Sequence, residues 1–411
     1  MLKNGFSYSF IQKIAVLYLV IWTISPPLSV DLTYRLIALG CAGIWFAIWF
    51  IRENPITLGA DQLISLVFLV LVVGVIYLET GSVSSIIKQI STFMLIICYL
   101  INYFYRDRWD ELSGIVPIVL IILSVWNFKS ANALELDPTI ARSLVRDDES
   151  TYQYLRQGIG GYNLIYPQVC VSPLIFAWIF KSFKNNKFYF ITGVVYAVSF
   201  IGFIATAGYS IAIVATVVGT IIMLFYKGKS GIAAFLVSIG LFITIMLMIL
   251  YVDSFRNFLL EFFDGTAVAK KINDLVSVGE TGESGESIQV RIDAYSASLK
   301  ELIRYPIIGS LWRPTTAGGH SAFLDTFAKY GLFGIYAFSK IAYSVPKHYN
   351  SVYDDRFIRS VSNAVLITYL FVTVLDTFSY NFNCMVLIIA SLLFEDIVKW
   401  SDLKNESVMD R

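Results

Sequence analysis

The sequence predicts an all-α, polytopic integral membrane protein with about twelve transmembrane helices, on three observations. Of its 411 residues, 57% are hydrophobic and only 15% charged, with a mean hydropathy of +0.68. That balance lies outside the range of soluble domains. Apolar runs matching a bilayer core, about 20 residues each, recur along the chain. Lysine and arginine are concentrated on alternate short connections, as the positive-inside rule requires.

The expected spans are 6–24, 33–51, 62–78, 86–104, 112–127, 163–180, 188–206, 209–226, 231–252, 321–345, 361–377 and 383–398. No small-residue cleavage site follows Phe6–Ile24, so it reads as a retained span and not a signal peptide. A tight turn at Gly208 separates two of the spans. One set of connections carries Arg52, Arg106, Arg108, Lys181, Lys184, Lys187, Lys227, Lys229, Lys347 and Arg356. The connections Ser25–Asp31, Glu79–Ser85, Ala207–Gly208 and Phe378–Asn381 carry no lysine or arginine. Both termini are therefore expected in the cytoplasm. Segments 128–162 and 253–320 become two long extracytoplasmic loops of a single membrane domain, 1–411.

Composition and motifs also exclude classes. A net charge of +1 leaves no nucleic-acid footprint. Cys41, Cys98, Cys170 and Cys384 stand singly in apolar runs, as buried small hydrophobes do, and no metal-type spacing exists. There is no P-loop, no GxGxxG, no GxSxG and no DxD in either outer segment. No metal or cofactor is expected, and a metal-dependent nucleotide-sugar transferase is disfavoured.

Loops this long are functional or disordered, and the segment Ser284–Gly334 is the most informative. Ile288, Ile292, Tyr295, Leu299 and Leu302 recur at helical spacing, predicting an amphipathic interfacial helix over 288–305 that Pro306 terminates. Arg291 flanks its apolar face. Two readings stand for Arg291: an anchor that snorkels to water, or a bidentate fork for a phosphate. Arg313 follows in a Pro/Gly-rich turn. His320 follows Gly318-Gly319 at the mouth of a span, where an imidazole can serve as base or hydrogen-bond donor. Asp325 and Lys329, four residues apart, are expected to pair with each other. His348 is expected in a surface loop.

In the first outer segment, Arg146 adjoins Asp147, Asp148 and Glu149, which favours local ion pairs. Arg142 lies clear of those acids and is the better ligand candidate, with Arg156 a further one. Gly160-Gly161-Tyr162 allows a close backbone approach or an unusual turn. Tyr162 and Tyr166 read equally as interface-belt aromatics or as sugar-stacking platforms.

Together these stretches resemble the signature region of the O-antigen polymerase and ligase superfamily. The resemblance rests on Arg291 through Tyr295, Tyr305-Pro306-Ile307-Ile308-Gly309, Gly319-His320-Ser321-Ala322-Phe323-Leu324 and Tyr330-Gly331-Leu332-Phe333-Gly334. Ala141-Arg142-Ser143-Leu144 and Gly160 through Tyr166 look like the polymerase branch, which makes O-antigen and capsular polysaccharides.

The resemblance implies a GT-C-type, metal-independent glycosyltransferase in a bacterial inner membrane. Its donor would be a polyprenyl-pyrophosphate-linked oligosaccharide, and a flippase and a chain-length regulator would be its partners. His320, Arg291 and Arg142 would be catalytic. Arg156, Arg313, Tyr162, Gly161 and Tyr295 would bind substrate. The chain departs from many relatives at Thr206-Ala207-Gly208-Tyr209, where they carry Ser-Arg. A ligase acting on another acceptor, a transporter of the lipid-linked sugar, and a structural membrane scaffold, which would not need the outer arginines, are the rival readings.

Overall fold

A backbone amide in hydrocarbon has no water to bond, so apolar runs of this length fold as helices that satisfy themselves. The computed structural model describes residues 2–52, 58–81, 90–144, 149–226, 231–265, 269, 272–273, 276, 286–311, 313, 318–319, 321–353, 355–376 and 380–409. Among these residues there are helices and no strand.

The first half of the chain forms α1 (Leu2–Ile24), the short α2 (Pro26–Val30), α3 (Leu32–Arg52), α4 (Ala60–Thr80), α5 (Ile90–Tyr105), a 3-10 segment (Arg106–Ile115) and α6 (Val116–Leu136). Two short helices follow, α7 (Ile140–Ser143) and α8 (Glu149–Arg156). Next come α9 (Tyr162–Asn185), α10 (Lys187–Ala207), α11 (Ser210–Phe225), α12 (Gly231–Tyr251) and α13 (Asp253–Phe262). The last four are α14 (Glu286–Arg304), α15 (Ala322–Val352), α16 (Arg356–Leu375) and α17 (Tyr380–Met409).

Among the described residues, six stretches are long and apolar enough to cross a membrane: Leu32–Ile51, Ala60–Glu79, Val116–Leu136, Tyr162–Asn185, Lys187–Ala207 and Arg356–Leu375. A seventh results if Ile239–Tyr251 and Asp253–Phe262, bent by 94°, count as one. By length and composition the chain is a multi-pass helical membrane protein.

Several boundaries differ from expectation. The run 112–127 does not start a helix at 112. Arg106–Ile115 winds as a 3-10 segment, and α6 opens at Val116 with Pro117 in its first turn, where a missing N–H is no loss. The helix then continues through Phe128–Leu136, taken in sequence as loop. The span 321–345 likewise runs on to Val352, so His348 lies on a helix with its side chain mostly covered, 3.9 Å from Asp107. Lys340 and Lys347 on the same helix bond Asp61 at 3.0 and 3.1 Å. The Asp325–Lys329 pair does not form. Lys329 reaches Glu79 on α4 at 2.8 Å, and Asp325 turns toward backbone amides. Cys98, Cys170 and Cys384 are buried and Cys41 is half-buried.

The bundle is organised around α9 and α16. Their spanning windows are 78% and 72% buried, against 28% for α3 and α4, so they are the inner helices. α9 packs on α10, α11, α16 and α17. Its Gln168 forms a reciprocal amide pair with Asn127 of α6 at 2.9 Å in both directions, satisfying two buried polar groups at once.

One crossing sets the position of α14. After α14, the turn Pro306–Leu311 runs against a break in α15. Ser310 N donates to the Ala328 carbonyl (2.9 Å) and Leu311 N to Lys329 (2.8 Å). In return, Leu332 N donates to Pro306 (2.9 Å) and Phe333 N to Ile307 (3.2 Å). Gly331 makes the break, with φ 61° and ψ −157°, a conformation open essentially to glycine. Gly309, at φ 71°, faces it across the crossing.

Candidate functional site

The last carbonyls of a helix have no partner within it. At the C-terminus of α16, other elements supply the partners. Arg291 Nη1 and the Tyr295 hydroxyl, one turn apart on α14, both donate to the Leu375 carbonyl at 3.0 Å. Ser321 Oγ donates to Thr373 O at 3.3 Å, and Ala322 N to Asp376 O at 3.0 Å, from the start of α15. From α9, the Tyr166 hydroxyl donates to the Asp376 carboxylate at 2.7 Å. Three elements thus meet on residues 373–376, with Asp376 only 8% exposed.

An aromatic stack adjoins this knot. The rings of Tyr162 and Tyr209 lie 4.2 Å apart, nearly parallel, and Tyr162 and Tyr166 stack at 5.3 Å. The Tyr209 hydroxyl is buried with no partner among the described residues. Gly161 precedes α9 and is buried; a Cβ there would meet Leu144 at 2.9 Å, so a side chain at this position would push α9 and Leu144 apart.

A second knot holds the segment before α15. Asp325 accepts from Ser298 Oγ (2.9 Å) and from the backbone N–H groups of Gly319 (2.9 Å) and Ser321 (3.4 Å).

The inner face of α14 is therefore only partly the one its apolar periodicity marks. Arg291, Tyr295, Ser298 and Leu302 turn inward, while Ile292, Leu299 and Ile303 are exposed, the last by 80%. Burial alone would lower the Arg291 pKa. The Asp376 charge and the Tyr295 hydroxyl outweigh it and raise the pKa, so the guanidinium is held cationic. Burial also raises the pKa of Tyr295, which keeps it a neutral donor.

The fate of the other sequence candidates varies. Tyr162 joins Arg291 and Tyr295 at the α16 terminus. Arg156 is exposed in the last turn of α8. Arg313 is exposed, with its guanidinium 4.6 Å over the Tyr305 ring. Neither bonds to Asp376, Arg291 or the stacked tyrosines among the described residues. Arg142 falls in α7; its side chain, and all of His320, lie outside the described residues. Arg146 lies outside them too.

No protein-family model and no curated protein matches this chain. The site therefore has to be read from its own groups. Among the described residues, no three His, Cys, Asp or Glu side chains come together as a metal would need. What does come together is a cationic fork, a nearly buried carboxylate, two phenol donors and an aromatic stack of which only Tyr162 is partly exposed, at one end of apolar helices. A guanidinium carries five N–H donors. Among the described residues, Arg291 spends one on Leu375 and lies beside one phenol oxygen, which leaves donors for an anionic ligand.

Sequence reading missed Asp376 and Tyr209. Asp376 ends an apolar run, and a carboxylate there is costly near lipid without a partner. That isolated charge was the available signal.

Proposed function

We propose that the chain is a polysaccharide polymerase of the GT-C type. It joins polyprenyl-pyrophosphate-linked oligosaccharide repeat units at the outer face of a bacterial inner membrane. In this reading twelve helices cross the bilayer: α1, α3–α6, α9–α12 and α15–α17. The Arg291 end of the bundle faces outward, and a flippase and a chain-length regulator act beside it.

The observation that carries the reading is Arg291: a half-buried cation that spends one guanidinium N–H on Leu375, on a helix whose neighbouring face presents apolar side chains outward. Ile292, Leu299 and Ile303 offer a lipid tail a surface on the face of α14 beside the one that carries Arg291. The acceptor sugar hydroxyl attacks the anomeric carbon of the donor. The bond from that carbon to the pyrophosphate oxygen breaks, and polyprenyl pyrophosphate leaves with the electron pair. Negative charge grows on the leaving oxygens, where fixed donors in a dry site are most effective. Arg291 and Arg142 supply that clamp, with Arg156 and Arg313 further out. His320 takes the hydroxyl proton. Tyr162, half-buried, offers ring surface to the sugar; Tyr166 is buried behind it and braces Asp376 instead of meeting the sugar, and Tyr295 and Gly161 line the site.

Purified protein with a lipid-pyrophosphate-linked repeat unit, assayed in the presence of EDTA, tests this. The expected result is donor consumption with release of polyprenyl pyrophosphate. An unconsumed donor overturns the reading and favours transport.

His320→Ala should lower turnover by about 10²–10⁴-fold, the usual worth of one acid–base group, and leave donor binding largely intact. The sign of the pH dependence follows from the base role. Neutral imidazole is the active form, so the rate should fall as pH drops through about 6.5. A bound pyrophosphate stabilises the imidazolium and moves that midpoint up. A pH-independent rate with weakened donor binding would assign His320 to phosphate contact instead.

A further inference from the structure

Asp325 stands in the first turn of α15, and three donors converge on it from two directions. Ser298 Oγ comes from α14, where Ser298 is 1% exposed on the same inner face as Arg291 and Tyr295. The N–H groups of Gly319 and Ser321 come from the segment entering the helix. The helix start does not need this carboxylate. Ser321 Oγ already caps it, accepting from Leu324 N at 3.1 Å. Nor is Asp325 the counter-ion of Lys329, which is satisfied by Glu79. Both of its oxygens are spent on joining the two residues that flank position 320 to the helix that carries Arg291.

We propose that Asp325 is the positioning residue of the site: it ties Gly319 and Ser321, the two neighbours of position 320, to α14, the helix that carries Arg291. This rests on His320 as base and Arg291 as clamp. Two reacting groups must hold near-attack geometry, and a misplacement of about 1 Å can cost about 100-fold in rate.

The test compares Asp325→Ala, Asp325→Asn and Ser298→Ala in the full-length chain. Alanine removes all three acceptor contacts. Asparagine can restore them: its Oδ1 accepts from the two amides, and its Nδ2 donates to Ser298 Oγ once that hydroxyl turns to accept. With lipid-linked repeat unit as substrate, Asp325→Ala should lower kcat about 100-fold. KM should stay within about twofold, since groups that act in the chemical step are displaced and donor binding is kept. Asp325→Asn should recover to within about tenfold of the original rate, and Ser298→Ala should show a smaller loss of the same kind.

A second readout needs no substrate. The chain has two histidines, His320 and His348. In protein carrying ¹³C-labelled imidazoles, Asp325→Ala should split or broaden the His320 signal and leave that of His348 in place. An unchanged His320 signal overturns the proposal, as does an asparagine variant no better than alanine. If Asp325→Ala does not accumulate, Asp325→Asn and Ser298→Ala carry the same comparison. Should the original protein show no turnover, the polymerase reading fails while the imidazole signals still decide the role of Asp325.

Discussion

Replacing Arg291 with alanine is expected to abolish polymer while leaving the protein in the membrane at near-normal level. The guanidinium gives one hydrogen bond to the Leu375 carbonyl and sits beside the Tyr295 hydroxyl. Tyr295 makes its own bond to Leu375, so the α16 terminus keeps one side-chain donor in the variant. Loss of a hydrogen bond from a charged donor costs about 1.5–3 kcal/mol of stability, which a chain of this size tolerates. Loss of a fixed donor to a developing oxyanion costs about 10²–10³-fold in rate. A clamp that also holds the donor should exceed that. Arg291→Lys should recover little, because an ammonium offers a point charge without the planar fork. Polymer yield and membrane abundance, measured together, check this. Full activity in Arg291→Ala would mean that the residue only caps α16.

The second large effect is on folding. Gly331→Ala and Gly309→Ala should each prevent accumulation of folded protein. A Cβ on Gly331 would lie 2.5 Å from the Ile307 carbonyl carbon and 2.6 Å from Gly309 N. One on Gly309 would run into the backbone of Lys329 and Tyr330. Neither neighbour is a side chain that can swing aside. Both glycines also have positive φ, which costs an L-residue about 1–2 kcal/mol before any collision. The combined loss should be about 4 kcal/mol or more, the range reserved for broken backbone geometry. Gly202→Ala is the control: it is helical, and its added methyl group would meet nothing within 4 Å. Detergent-extracted fluorescent fusions, compared by size-exclusion profile and thermal stability, check this. Normal profiles for both variants would show that the crossing of 306–311 with 328–333 is not required.

Those glycines show what the sequence could and could not express. Tyr305–Gly309 and Tyr330–Gly334 stand out as motifs, but nothing in either string says that they are the two halves of one backbone crossing. Their close approach is visible only in space. The helices are different. Apolar runs of bilayer length satisfy their backbone as helices, so helices were legible and their ends were not, as Pro117 and the continuation to Leu136 show; of the twelve expected spans, six or seven are long and apolar enough to cross among the described residues.

On α14, periodicity marked a helix, but its apolar stripe is split: Tyr295 and Leu302 turn inward while Ile292 and Leu299 are exposed. The inner partner is a polar helix terminus, which selects Arg291, Tyr295 and Ser298 for the covered side. Asp376 and Tyr166 are 210 residues apart, and only folding makes them a pair. Asp325 was legible as a charge, and its spacing to Lys329 suggested the wrong partner. Glu79, from a different helix, competes successfully for that lysine.

The central claim is that one chain both holds a pyrophosphate-linked donor and extends it repeatedly. The most direct measurement is the size distribution of lipid-linked product formed by purified protein in nanodiscs, supplied with a lipid-pyrophosphate-linked repeat unit. The account predicts a ladder spaced by one repeat unit in the original protein and no ladder with Arg291→Ala. A single transfer to an added foreign acceptor, or a ladder that persists without Arg291, would contradict it.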